Sequence, residues 1–527
     1  MASQPPLWRS ALKPEISQQV IHHQYTGSGT EADPFIVFWL TDDPQNPFAF
    51  TETSKWIITI IVSLATLAVS LISSAYAGGL NEIINSLHTS QELAFLGISV
   101  FVVGFAVGPL FWAPLSETYG RRPIFIFNAI SLTAFTAGAA ASSSIHSLII
   151  FRFLAGSFGS APMAISGGVI ADTFSATMRG LVSGLYCAAP FMGPALGPVI
   201  GGYLAQEKGW QAVQWLLVAF SGAILIIMSV LLPETYAPVL LRQRAAILAK
   251  KTGHVYVSKM DSEQGKVQMA KKLGSALSRP WILLCCEPIV FLLSLYLAII
   301  YGTLYMLFAA YPIVFQGARK WDEGTTGLTF VGVMIGILCG SAYTIPMYYR
   351  YKRKSSESST PVPPEARLAD GFLGAITLPI GLFMFAWTNS PSVHWLVSVA
   401  AGVPFGFGML TVFLAVLNYL VDAYTIYAAS VLASTTLLRS LFGAAFPLFT
   451  GYMYEALGIH WASSVPAFLA LACLPIPFML SRYGSKIREK CHYAAEASAI
   501  MRQHLESLSK APIQRNSAEQ EKIVLKS

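Results

Sequence analysis

Two arginines stand where charge is expensive. Arg152 lies in IIFRFLAGSFGSAP, residues 149–162, and Arg439 in LLRSLFGAAFPLFTGYMY, residues 437–454, each the sole charge in its run. A guanidinium does not release its proton near neutral pH. Within an apolar run it must face a polar interior, where it can hold a partner carboxylate or a group of a ligand. Among the carboxylates at the ends of apolar runs are Glu117, Asp172 and Glu287. Asp172 and Glu287, with Arg152, are the candidates for proton or cation exchange. Tyr296, Tyr301 and Tyr305 follow Glu287, with Tyr301 and Tyr305 one helical turn apart on a common face. Their amphipathic rings, together with Arg439, could line a cavity for a large, mostly apolar ligand. This chemistry holds and releases; it makes no covalent bonds. The chain carries no HExxH, no nucleophile elbow and no phosphate loop ending in Lys-Ser/Thr, so an enzyme or a primary ATPase is not expected. No cofactor or metal is expected either. Five of the six cysteines (187, 285, 286, 339, 473) fall in apolar runs and Cys491 in a basic tail, which suits neither a disulfide framework nor a metal site.

The elements that must position these groups are membrane helices. Of the 527 residues 54% are hydrophobic and 12% charged, with a mean hydropathy of +0.56. A soluble domain carries roughly 25% charge. Twelve apolar runs are each long enough to cross a bilayer, which takes ~20 residues. Their approximate limits are 56–78, 91–114, 123–142, 147–171, 180–206 and 211–232, then 281–311, 324–349, 368–388, 393–419, 427–453 and 462–482. The predicted fold is an all-α membrane protein of twelve transmembrane helices in two six-helix halves, 55–232 and 281–482, a symmetry expected of a transporter built from repeats. Residues 1–54 form a polar, mostly irregular tail, 233–280 a central loop and 483–527 a second tail. In the central loop, Leu240, Leu241, Ile247 and Leu248 can share a helical face, which predicts an amphipathic helix on the lipid surface. The loop 350–367, basic and then Ser/Pro-rich, is expected to be flexible. Of the 34 lysines and arginines, only Lys208, Arg319 and Lys320 fall on one side and Arg152 and Arg439 within spans. The rest share the side of both tails and the central loop, which predicts that side to be the cytosol. The net charge of +7 therefore belongs to a membrane face and implies no nucleic acid.

The fifth run reads GLYCAAPFMGPALGPVIGGYL, from Gly184 to Leu204. Three prolines would break a soluble helix but are tolerated in a membrane bundle. Glycines four apart allow another backbone to approach closely. The order Gly184, Gly193, Gly197, Pro198, Gly201, Gly202 resembles the antiporter motif of the major facilitator superfamily. APLSETYGRRP, Ala113 to Pro123, resembles the loop motif of that superfamily, with Glu117 in the acidic place, Gly120 at the turn and Arg121 and Arg122 as the basic pair. It departs at Ala113, where the family has glycine, and at Thr118, where it has a basic residue. Arg152, Gly156 and Gly159 resemble the fourth-span arginine motif. Arg439, Gly443 and Pro447 resemble the eleventh-span signature of fungal drug:proton antiporters. The resemblance covers about residues 50–485.

What the resemblance implies is a proton-coupled exporter of amphipathic small molecules, drugs, toxins or a secondary metabolite, in the plasma membrane or alternatively the vacuolar membrane. It would work as a monomer by alternating access, with substrate, protons and the lipid bilayer as its partners. Glu117 would face the start of the eleventh span, and Asp172 would pair with an arginine of the loop motif. Asp422 is a possible partner for Arg439. Alternatives are a polyamine or organic-acid transporter, or a non-transporting sensor on the same fold.

Overall fold

The computed structural model describes residues 18–40, 43–264, 269–357 and 362–500. The first half holds α1 (Glu52–Ala75), α2 (Gln91–Tyr119), α3 (Arg121–Ala140), α4 (Ile145–Gly159) running into α5 (Ala161–Thr173), α6 (Ala176–Tyr186) running into α7 (Ala188–Lys208), and α8 (Trp210–Leu231). In the central segment are α9 (Ala237–Thr252) and α10 (Met269–Cys286). The second half holds α11 (Pro288–Tyr311), α12 (Val331–Glu357), α13 (Phe372–Thr388), α14 (Gly402–Ala423), α15 (Ala428–Cys473) and α16 (Pro475–Lys490). Ten helical stretches among the described residues are long and apolar enough to cross a membrane. The sequence predicts twelve, and two features account for the difference. Gly458, at φ 73° and ψ 167°, turns the chain inside α15, so one stretch of the ten is two helices joined end to end. The pair α6–α7 is not among the ten, because glycine and proline dilute its apolar content.

Close glycine contacts bind α7 to α1. A Cβ on Gly193, Gly197 or Gly201 would run into Ser70, Ser74 or Ala75 respectively. In the second half, Gly332 and Gly336 of α12 meet the backbone of Val399, Val403 and Phe407 in the same way.

The predicted seventh span, 281–311, is interrupted. Glu287 is extended, at φ −110° and ψ 101°, between α10 and α11. Pro288 enforces this, since the residue before a proline is driven out of the helical region. Residues 281–286 thus end a separate helix, α10, whose Leu284 packs with Ala106 of α2 and Leu437 of α15.

The N-terminal tail and central loop also differ from expectation. Phe35–Val37 (β1) pairs in parallel with Tyr256–Ser258 (β2). Val20, Tyr25 and Val37 pack on Leu241, Ala245 and Leu248 of α9, so two of the four residues of the predicted lipid-facing stripe, Leu241 and Leu248, are covered by the chain's own N-terminal segment. Arg244 and Asp43 form an ion pair there, their side chains 2% and 1% exposed. The Arg244 guanidinium also donates to Gln45 Oε1 at 2.7 Å and lies over the Trp39 ring. Removing one partner of a buried pair costs about 3–5 kcal/mol. Asp43→Asn is therefore expected to release residues 18–50 to protease while the helical bundle stays intact. Limited proteolysis checks this, and an unchanged cleavage rate would contradict the account of this cap.

Candidate functional site

Arg152 of α4 is 1% exposed, and backbone oxygen takes its donors. Nη1 donates to Ile72 O at 2.7 Å, Nη2 to Ser73 O at 2.9 Å and Nε to Gly97 O at 3.1 Å. Ile72 and Ser73 lie in the last turn of α1, where carbonyls lose their helical partners. Arg152 thus caps that helix end from the side. Its guanidinium lies over the rings of Tyr76 and Phe101, at 4.6 and 4.3 Å. Of the partners such an arginine can take, a carboxylate, a ligand group or backbone carbonyls, the structure shows three carbonyls. Gly156 serves this arrangement, since a Cβ there would strike Phe101 O and hold α4 away from α2.

From Arg152 a polar chain crosses between the halves. The hydroxyls of Ser73 and Tyr305 lie 2.9 Å apart, and Tyr301 donates to Tyr305 at 3.4 Å. The Arg439 guanidinium lies 5.0 Å from the Tyr301 ring centre and 5.1 Å from that of Phe413. Phe191 of α7 closes the cluster edge-on to Phe413 and Tyr301. Of the predicted set, Arg152, Tyr305, Tyr301 and Arg439 come together in this chain. Tyr296 does not: it lies near Cys473 at the far side of α11. Glu287 does not either. Tyr301 is fourteen residues along α11 from it, or about 21 Å at 1.5 Å per residue.

Charged pairs gather at the end of the bundle that holds the central segment. Arg121 Nε lies 3.3 Å from Asp172 Oδ2, and its Nη1 donates to Ser116 Oγ at 2.7 Å. Gly120 turns the chain at φ 108°, a conformation that favours glycine. Glu117 lies near Tyr236. Glu234, which the sequence reading passed over as the opening of the central loop, is the hub. Its carboxylate accepts four backbone N–H groups, from Arg121, Arg122, Thr235 and Tyr236, at 2.9–3.1 Å. Two of these are orphan donors at the start of α3, where an anion is favoured. Burial pushes the Glu234 carboxyl up while the N–H bonds pull it down. Its only sequence signal was an acid directly after the sixth apolar run. Glu234→Ala removes a cap worth about 1–2 kcal/mol. A lower melting temperature and slower transport are expected, both read on purified protein; an unchanged melting temperature would count against the capping role.

The second half repeats the pattern. Arg367 Nε lies 2.8 Å from Asp422 Oδ2, and Arg488 grips Glu365 through two bonds of 2.9 and 3.1 Å. Asp422 therefore belongs to Arg367 and not to Arg439. Of the predicted flexible loop, the stretch through Glu357 is helical and a helical turn starts at Pro364; residues 358–361 lie outside the described set. Glu287 is 1% exposed and accepts from Tyr424 Oη and Tyr493 N, both at 2.8 Å. It ties the start of α11 to the segment after α16.

At the opposite end the halves touch directly. Asn81 donates to Gln316 at 3.2 Å, Gly324 N to Gln206 at 3.1 Å and Tyr452 to Glu92 at 2.8 Å. A Cβ on Gly202 would meet Glu323 O at 2.6 Å, and one on Gly327 would strike Pro198 O. So the Gly/Pro helix α7 packs on α1 along one face and on the second half along another. At the first end a small pocket lies in the second half, lined by Tyr343, Thr344, Asp370 and Asn418, with Gly180 of the first half at its rim.

Residues 60–447 match the model of the Major Facilitator Superfamily. The chain is similar to the "Major facilitator superfamily multidrug transporter mdrA" of Aspergillus fumigatus, 54% identical over 96% of this chain and 84% of that one. It is equally similar to the "MFS-type efflux pump MFS2" of Trichophyton rubrum, 54% identical over 96% of this chain and 85% of that one. Among solved structures, the proton:xylose symporter XylE aligns with a TM-score of 0.59 at 13% identity, over 82% of this chain and 96% of that one. With the helical bundle, the cross-half chain and the family match together, the chain belongs to the Major Facilitator Superfamily, an integral membrane transporter family.

Proposed function

We propose that this protein is a proton-coupled exporter of amphipathic small molecules, drugs, toxins or a secondary metabolite, that works by alternating access. The observation that carries the reading is the chain Arg152–Ser73–Tyr305–Tyr301–Arg439, which joins the two halves in the middle of the bundle. Rocking of the halves must break the Ser73–Tyr305 bond, so the contact at the centre of the bundle is part of the gate. The relatives' names, a multidrug transporter and an efflux pump, support the direction. The distribution of basic residues supports cytosolic termini; the membrane proposed is the plasma membrane, with the vacuolar membrane as the alternative. On that orientation the end where Gly202 and Gly327 meet the other half faces outward, and the pocket beside Asp370 lies at the cytosolic end. Asp172 and Glu287 are the carboxylates on the cytosolic side proposed to exchange the proton. Arg121, Arg122, Glu117 and Gly120 are proposed as the inner latch; Gly193, Gly197 and Gly201 lock α7 to α1, and Gly202 belongs to the outer seal. The bilayer, substrate and protons are the partners of a monomer. Cells that carry the protein are expected to retain less of an amphipathic dye than cells without it, and a protonophore should abolish the difference. Equal retention would contradict the reading.

A further inference from the structure

The middle of the bundle holds two guanidinium groups and no carboxylate among the described residues. Every described carboxylate in the spans lies within about two turns of a helix end. Arg439 lies eleven residues into α15, about 17 Å from its start at 1.5 Å per residue. The two arginines are not equivalent. Arg152 spends its donors on three carbonyls. Arg439 is only 8% exposed, and its Nε is buried with no hydrogen-bond partner. Its ion-pair candidate, Asp422, is taken by Arg367. The groups around Arg439 are the rings of Tyr301 and Phe413 from the second half and the neutral Tyr186 and Cys187 from the first. Cys187 lies at the joint between α6 and α7, so the guanidinium is at the surface where the halves meet. A buried cation flanked by aromatic faces and left without an anion is an incomplete site. Guanidinium geometry completes it best with a planar, bidentate oxyanion.

We propose that Arg439 docks the anionic group of an amphipathic organic acid, and that Tyr301, Phe413 and Phe191 hold its apolar part. This rests on the exporter reading above and names its substrate class. Arg152, at the other end of the same relay of side chains, adds a fixed positive charge that disfavours cations there, which argues against polyamines. Lipid-exposed helices do not supply the missing anion, because Arg439 faces the meeting of the halves.

The test reads binding, so that a failure of proton coupling leaves it intact. Purified protein is titrated with three matched probes: a naphthyl carboxylate, its neutral amide and a naphthyl trimethylammonium. The wild type is expected to bind the carboxylate at least about tenfold more tightly than the amide, as one charge-assisted bond implies, and the ammonium weakest. Arg439→Gln should erase the preference for the carboxylate while leaving amide binding unchanged, and Arg439→Lys should keep part of it. The wild-type ranking stands as a test even if a variant fails to fold. Amide or ammonium binding as tight as the carboxylate overturns the proposal, as does Arg439→Gln weakening all probes alike, or no binding of any. Export of the amide or ammonium under a pH gradient, without the carboxylate, would leave the exporter reading standing and sink this one.

Discussion

Arg152→Ala is expected to abolish proton-driven efflux and to lower the melting temperature of the purified protein. Each bond from the guanidinium to a carbonyl is charge-assisted and worth about 1.5–3 kcal/mol. Alanine removes three of them and leaves Ile72 O, Ser73 O and Gly97 O buried without that donor. The end of α1 then loses its lateral cap beside Ser73, whose hydroxyl meets Tyr305 of the other half. Loss of coupling follows because the cross-half bond depends on where that helix end sits. Arg152→Lys keeps the charge but presents a point donor in place of a fork. It should reach fewer of the three carbonyls and retain part of the efflux. Efflux from vesicles with an imposed pH gradient, compared with substrate binding without one, separates the roles. Lost efflux with binding largely kept fits positioning. Normal efflux in the alanine variant at normal abundance would show that the arginine is dispensable.

Gly197→Leu is expected to block export. A Cβ at this position would already run into Ser74 Oγ and lie 2.6 Å from Ala75 N. The obstacle is backbone on one side and a hydroxyl bonded to Gly193 O on the other, so neither yields cheaply. Overpacking a tight core costs about 1–3 kcal/mol, and a rigid backbone neighbour puts this case at the upper end or beyond. The strain falls on α7, which also carries Pro198 and Gly202 against Gly327 and Glu323 of the second half. A displaced α7 therefore misplaces the outer contact between the halves. Export and surface level must be measured together. Normal export at normal surface level would mean that the α1–α7 seam is not closed during transport.

The legibility of the chain followed the kind of partner each residue takes. Glycines four apart are readable because their spacing alone puts them on one face, and the structure finds backbone against that face. The expense of Arg152 was readable from the apolar run around it. Backbone carbonyls are one reading such an arginine allows, but which carbonyls take it is not legible, because a carbonyl oxygen belongs to any residue and leaves no type to recognise. Glu234 was missed for the same reason: four N–H groups take its carboxylate. Asp43 and Arg244 stand 201 positions apart, and no local pattern joins them. The break at Glu287 was signalled by Pro288, but the length of the apolar run outweighed it in the sequence reading. Asp422, a possible partner for Arg439 by sequence, pairs with Arg367, which lies in a stretch that reads as loop.

Proton-coupled export is tested most directly with purified protein in liposomes, its cytosolic face outward, an acidic lumen and an amphipathic probe outside. The account predicts that the probe accumulates in the lumen above its outside concentration. The gain should vanish when a proton ionophore collapses the gradient, and it should be absent with Arg152→Ala. Accumulation that survives collapse of the gradient, or mere equilibration of the probe while the gradient stands, would contradict it.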